Sequence, residues 1–361
     1  MKILRKSLGL MLAFAFVIST FAMIVPVMGD VIPPVQVYKK PGTLPNDPPA
    51  TASQLMDWGY LRIGADTART TVAGVETIHV AVLDTGVDYE HADLAGVVTW
   101  CYDAINRAEG CTRKSADDDG HGTHVAGTIA ALDNEQDSVG AAAGFVEIYN
   151  VKVLGRRGGD WYDLAHGIEM ATKGPDGIAG TFDDADVISM SLGGDISSAP
   201  DLIQVLQNSI DYAISYGTIV VAAAGNEGTC ESGDVQYSWP AMNDGVITVG
   251  ATGIYKDGAF ATQWTGAEED VMPCFSNEMP AGVVDISAPG VYITALKKGG
   301  GTTEMSGTSM ATPYISAVIA LMLANGVAPS NIYNRLTSTA IDIGYPSTMM
   351  GAGLVNAAAA V

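Results

Sequence analysis

At 361 residues and 48% hydrophobic content, the chain can bury one large α/β core. Its 40 acidic side chains outweigh 18 basic ones, for a formal charge of -22. Such a surface repels nucleic acid and anionic lipid, which excludes both as partners, and its uses are solubility, cation binding and attraction of basic substrates.

The chain opens on Lys2, Arg5 and Lys6, then an apolar run from Leu8 to Val27, then the small residue Gly29. This is the pattern of a secretory signal over residues 1–29; an uncleaved anchor is the alternative, because the run is nearly long enough to span a bilayer. Either route takes the protein out of the cytoplasm. The expectation is a secreted, extracellular monomer with no stable membrane association once the signal is removed. Residues 30–50 carry Pro33, Pro34, Pro41, Pro45, Pro48 and Pro49, which prevent helix and favour an extended arm. One domain, 51–361, follows.

Within it, short apolar runs at 78–83, 148–153, 187–191, 218–222, 246–249 and 283–286 alternate with helical patterns at 122–132, 160–173 and 201–216. Strands so uniformly apolar are buried on both faces. The fold class is therefore α/β, a doubly wound, mostly parallel sheet with helices on both faces. Active sites of such sheets gather at the carboxyl ends of strands, and Asp84, Gly193 and Asn226 each follow a predicted strand. Residues Thr308–Ala324 form an apolar stretch with Pro313 near its start, short enough to be a buried central helix.

In an exported chain, Cys101, Cys111, Cys230 and Cys274 read as two disulfides with three pairings open. Cys101 and Cys111 flank a short insertion, and closing so small a loop contributes about 2 to 3 kcal/mol in the entropy model. That pairing leaves Cys230 with Cys274. Free thiols are the alternative.

Three motifs carry chemistry. They are Asp84-Thr85-Gly86, His121-Gly122-Thr123-His124-Val125-Ala126-Gly127-Thr128 and Ser306-Gly307-Thr308-Ser309-Met310-Ala311-Thr312-Pro313. A serine hydroxyl needs a base to take its proton as it attacks a carbonyl, and histidine has the suitable pKa. A carboxylate orients that histidine and stabilises the imidazolium. All five histidines precede Ser309, which excludes an α/β-hydrolase, whose histidine follows the nucleophile. His121 and His124 are three apart with no glutamate between them, so the zinc-protease helix is excluded too.

Together with Ser191-Leu192-Gly193-Gly194 and Ala222-Ala223-Ala224-Gly225-Asn226-Glu227-Gly228, these motifs resemble the subtilisin-like serine peptidases, from about Gln54 to the C-terminus. Their chain order is also that of the family. The resemblance implies Asp84, His121 and Ser309 as the triad, His124 as a packed structural residue, and Asn226 as the side-chain donor to the oxyanion. It implies protein or peptide substrates bound as an extended strand between 155–159, including Gly158, and Ser191, Leu192, Gly193 and Gly194. The specificity pocket would be walled by 191–194, by Ala223 and Gly225, and by residues near Ser238. Asp117, Asp118 and Asp119 read as a solvated acidic loop that could also favour basic substrates. Calcium is the implied cofactor. Gln54, Asp93 and the loop bearing Leu132, Asn134, Gln136 and Ser138 resemble the family's high-affinity site. The loop 174–186, with Asp176, Asp183, Asp184 and Asp186, is a second candidate or simply a solvated loop.

Two departures stand out. Tyr314 and Ser316 replace the histidine and glycine usual after Pro313, which concerns local packing. Family members also commonly carry a folded propeptide, whereas only about twenty residues separate the signal from Gln54, and a sheet of high contact order folds slowly without help. The function expected is a secreted serine endopeptidase acting through an acyl-enzyme. The alternative is a catalytically silent binding protein on the same fold.

Overall fold

The computed structural model describes the backbone of Gln36–Val37 and residues 54–74, 76–229, 231 and 233–361. The predicted signal, most of the Pro-rich arm and Cys230 lie outside the described residues.

The central sheet has seven parallel strands: β1 (Ile78–Asp84), β2 (Val98–Asp103), β3 (Val146–Lys152), β4 (Val187–Met190), β5 (Ile219–Ala223), β6 (Val246–Lys256) and β7 (Ile286–Pro289). Their spatial order is β7-β6-β5-β4-β1-β3-β2. From β1 the chain builds β2 and β3 on one side, then crosses to lay β4 to β7 on the other. The strand order thus reverses at β1, and a crevice opens beyond its carboxyl end.

Successive strand residues face opposite sides, and two cores result. Val80, Val82 and Ile148 pack with α1 (His121–Ala130) and the helix Thr308–Ala324, while Ala81, Leu83, Tyr149 and Val151 pack with α2 (Trp161–Lys173) and α3 (Pro200–Ser215). We call the Thr308–Ala324 helix α4. Sixteen of its 17 residues are buried, so it lies inside the protein with no wet face. No helix among the described residues is long and apolar enough to cross a membrane.

The sequence reading finds most of these elements and misplaces some. β2 is missing from that reading although Val97, Val98 and Thr99 are β-branched; its first two residues are not buried and its register against β3 shifts between Val98 and Trp100. β6 runs on to Lys256 because its second half pairs with the antiparallel strands Glu269–Val271 and Ala259–Phe260. The strand expected at 283–286 begins only at Ile286. Val283 N–H turns back to Pro280, and the Asp285 carboxylate accepts from Thr248 N at 2.8 Å just before the pairing starts. The Cys101–Cys111 disulfide is present with Cα atoms 4.8 Å apart, and it closes the hairpin in which Tyr102 faces Glu109. Cys274 is also disulfide-bonded.

Tyr314, on α4, explains the first departure from the family pattern. Its hydroxyl donates to Asp57 Oδ1 at 2.7 Å, the same carboxylate that caps helix Trp58–Arg62 through Gly59 N and accepts from Thr294 N at 2.9 Å. Ser316 donates to Ser189 Oγ at 2.9 Å, tying α4 to β4. Burial pushes the Asp57 carboxyl from its ordinary 3.8 up to about 6, against the pull of its hydrogen bonds. The folded state therefore binds this proton more tightly than the unfolded chain. Asp57's contribution to stability is fully present below pH about 4 and is lost as pH rises through about 6. Tyr314→Phe removes a donor to the charged form, so it should cost about 1.5 to 3 kcal/mol at pH 8 and less at pH 4. Unfolding of both proteins at the two pH values measures this; equal losses would show that Asp57 does not titrate in this range.

Candidate active site

Asp84 ends β1 and His121 begins α1. Their side chains are fully buried, with His121 Nδ1 2.8 Å from Asp84 Oδ1 and 3.0 Å from Oδ2. The close approach of strand end and helix start needs a glycine at 122, where a Cβ would lie 2.1 Å from Gly86 O. With Nδ1 held by the carboxylate, the other ring nitrogen, Nε2, is buried without a hydrogen-bond partner among the described residues.

Ser309 is the second residue of α4. Its hydroxyl donates to Ser191 O at 2.9 Å, and Ser191 Oγ donates to Ser309 O at 2.8 Å. The second bond follows from Pro313, which has no N–H to offer the carbonyl four residues earlier. Ser191 satisfies that carbonyl instead. In this rotamer Ser309 bonds to Ser191, and a turn about its Cα–Cβ bond is what would bring Oγ to a base; such catalytic contacts are often loose without substrate.

Asn226 lies three residues past the end of β5. Its Oδ1 accepts from Thr308 N at 2.9 Å and from Thr308 Oγ1 at 3.0 Å. Thr308 Oγ1 in turn accepts from Gly225 N at 3.2 Å. Fixed on its oxygen side, the Asn226 amide leaves Nδ2 buried with no partner among the described residues. His124 Nε2 donates to Ile293 O at 3.0 Å and anchors α1 to a neighbouring hairpin. That is the packing role expected of it.

The edge Leu192–Gly193 is paired antiparallel with Gln36–Val37 of the N-terminal arm, Gln36 opposite Gly193 and Val37 opposite Leu192. Beyond it, Gly194 exchanges two backbone bonds with Trp239, next to the buried Ser238. Ala223 and Gly225 are buried where β5 meets the Asn226 loop. Gly158 is on a tight turn closed by reciprocal bonds with Gly155, and it lines a cleft of about 800 Å³ with Ile105, Arg156, Arg157, Trp161, Tyr162 and other residues.

The model of the subtilase family matches residues 76–353. The chain is a subtilase. It is 35% identical over 313 residues to subtilisin DY of Bacillus licheniformis, spanning 85% of this chain and 99% of that protein. To thermitase of Thermoactinomyces vulgaris it is 33% identical over 318 residues, spanning 88% and 99%. Alkaline elastase YaB of a Bacillus species matches over 319 residues at 34% identity, 87% of this chain and 72% of that protein. The protein is accordingly a serine endopeptidase, acting on protein or peptide substrates.

The residues expected to hold calcium come only partly together, and no cluster of three or more His, Cys, Asp or Glu that could hold a metal is found among the described residues. Asp93 is fully buried; its Oδ2 accepts from Ser138 N at 3.3 Å, while Asp93 Oδ1 and Ser138 Oγ are buried without hydrogen-bond partners among the described residues. Gln54 Nε2 donates to the carbonyls of Leu132 and Ser138, and its Oε1 accepts from Asn134 N and Glu135 N. Gln54 thus fastens the loop, and Asn134 Oδ1 is likewise engaged by Gln136 N at 3.0 Å. The oxygens left without a hydrogen-bond partner are Asp93 Oδ1 and Ser138 Oγ, while the carbonyls of Leu132 and Ser138 accept from Gln54. Burial pushes the Asp93 carboxyl up to about 6. In the loop 174–186 three carboxylates are satisfied within the loop, Asp183 by Asp176 N and Thr181, Asp184 by Gly180 N and Asp176 by Ile178 N, while Asp186 accepts from His79 N of β1.

Asp117 corrects the sequence reading. It is not part of a solvated loop but buried, accepting five hydrogen bonds from Thr85 Oγ1, Asp119 N, Gly120 N, Thr123 N and Thr123 Oγ1. Thr85 Oγ1 also accepts from Gly122 N at 3.1 Å. This network joins the Asp84 turn to the start of the His121 helix. A run of three aspartates reads as surface charge, and only the fold separates the buried first member from Asp118. Asp117→Ala would strand several buried donors, at about 1 to 3 kcal/mol each before relaxation. We expect a loss of at least about 3 kcal/mol in denaturant unfolding; a loss under about 1 kcal/mol would show that the network is not structural.

Proposed function

We propose that Asp84, His121 and Ser309 act as a catalytic triad in a secreted, calcium-stabilised serine endopeptidase. The observation that carries this is a pair of buried nitrogens, His121 Nε2 and Asn226 Nδ2. Each is oriented by a hydrogen bond on the far side of its group, and each lacks a partner among the described residues. Burying such groups unsatisfied is costly. The cost is expected where a substrate completes the bonding.

Ser309 Oγ attacks the scissile carbonyl and its proton passes to His121 Nε2. Asp84 keeps the imidazole in the Nδ1–H tautomer and stabilises the imidazolium. The carbonyl oxygen becomes an oxyanion and receives hydrogen bonds from Asn226 Nδ2 and the Ser309 N–H, one of the first-turn donors that a helix leaves without internal partners. His121 then returns its proton to the leaving amine. Water, deprotonated by His121, releases the acyl group and restores Ser309.

Substrate pairs as an extended strand with Ser191, Leu192 and Gly193, while Gly194 is already bonded to Trp239 through its N–H and its carbonyl. Support comes from the arm, whose Gln36–Val37 already forms an antiparallel strand on Leu192–Gly193, the geometry of strand addition to a sheet edge. Secretion is supported by the charged and apolar N-terminal pattern and by the disulfides, which persist in oxidising compartments.

Ser309→Ala should abolish both casein hydrolysis and covalent labelling by a fluorophosphonate, because it removes only the attacking oxygen. Wild-type turnover by that variant would refute the triad, whereas a wild-type protein that neither labels nor cleaves would favour a silent binding role.

For the cation, the unpartnered oxygens of Asp93 and Ser138 and the carbonyls of Leu132 and Ser138 form a hard-oxygen set suited to calcium. Bound calcium would supply the positive charge these oxygens lack. Asp93 lies nine residues past Asp84, and Ser138 follows the helix that starts at His121, so filling the site would brace both segments. Binding only to the folded state contributes about 4 kcal/mol at a thousandfold excess over Kd. We expect millimolar calcium to raise the unfolding midpoint of the Ser309→Ala protein relative to EDTA, and Asp93→Ala to remove most of that rise. Equal midpoints in the two buffers would refute a structural calcium, and an undiminished rise in the variant would place the ion elsewhere.

A further inference from the structure

Asn226 sits in a loop that another buried asparagine holds from behind. Asn277 is fully buried and outside all five motifs. Its Nδ2 donates to Ala224 O at 2.9 Å and to Glu227 Oε2 at 2.9 Å, and its Oδ1 accepts from Glu227 N at 2.7 Å. Its own N–H donates to Gly225 O at 3.2 Å. These bonds fall on the two residues before Asn226 and the one after it. Both amide hydrogens and the amide oxygen of Asn277 are used.

The fit leaves no slack. Gly225 has φ +107°, and a Cβ there would lie 2.3 Å from Asn277 Nδ2 and 2.6 Å from Glu227 Oε2. Only glycine meets both demands. Behind the loop, Gly228 N donates to Phe275 O at 3.1 Å, and Ser276 Oγ accepts from Ala251 N at 3.0 Å, so the segment bearing Asn277 is itself tied to β6. Thr308 holds Asn226 from the front and Asn277 holds its loop from the back. An oxyanion donor acts through preorganisation, and a displacement of about 0.5 Å is enough to weaken it.

We propose that Asn277 is a positioning residue for the oxyanion donor: it fixes the loop 224–227 so that Asn226 Nδ2 faces the developing charge. The proposal rests on the reading of Asn226 as that donor. Asn277 itself touches neither substrate nor reacting atoms. Its removal should therefore lower kcat, leave KM nearly unchanged, and matter only while Asn226 is present.

The test is a double-mutant cycle on the secreted enzyme, with kcat and KM measured on a peptide anilide per active site titrated to completion by a fluorophosphonate. Counting titrated sites restricts the comparison to folded molecules. Asn226→Ala is expected to lose about 10² to 10³ in kcat, the range known for the corresponding asparagine of subtilisin. Asn277→Ala should lose about tenfold in kcat with KM within about twofold, and less than about twofold more when added to Asn226→Ala. If Asn277→Ala yields too little folded protein, Glu227→Ala removes one of its anchors at an exposed position and should show a smaller loss with the same dependence on Asn226. Wild-type kcat in both the Asn277 and Glu227 variants, or equal losses with and without Asn226, would overturn the proposal while leaving the oxyanion reading intact. Wild-type turnover by Asn226→Ala would instead overturn the oxyanion reading, and the proposal with it.

Discussion

The burial of α4 on all sides is the constraint from which the site follows. A helix packed into the face of a parallel sheet, with one unburied residue in 17, cannot slide or rotate without opening a cavity or overpacking a neighbour. Its first turn is thereby held at the rim where Asp84 and Asn226 leave their strands. The polar residues on this apolar helix are the ones that face partners: Thr308 meets Asn226, Ser309 meets Ser191, and Ser316 meets Ser189. Pro313 adds a second consequence. By withholding an N–H from Ser309 O, it leaves a carbonyl that Ser191 satisfies from beside the Leu192–Gly193 edge.

Hydrogen-bond completeness separates the polar groups that hold the fold from those left with an open hydrogen-bonding position. Asp117 accepts five bonds and has a structural role, and Asn277 spends its whole amide on the loop behind Asn226. His121 and Asn226 are each satisfied on one side only. The same contrast divides the two acidic segments. Asp176, Asp183 and Asp184 take up backbone N–H groups of their own loop, whereas Asp93 and Ser138 keep buried oxygens without partners. With a formal charge of -22, a cation at such a point also relieves repulsion within the compact state.

The sequence by itself determined the sheet class and the order of the three chemical motifs, and it favoured among three pairings the Cys101–Cys111 bond that the structure contains. These depend on local pattern: apolar runs of strand length, glycines where backbone must approach, and a serine at the head of an apolar helix. Tertiary structure alone decided the rest. Asp117 and Asp118 are adjacent in the chain, yet one is buried in a network and the other is half-exposed and paired with Lys152. Asn277 belongs to no motif, and Tyr314 finds its acceptor in Asp57, 257 positions away. The physical reason is that a polar side chain's role depends on whether it is buried and on which group completes its hydrogen bonds. Both are set by chain segments far apart in sequence, and no local pattern encodes where those segments meet.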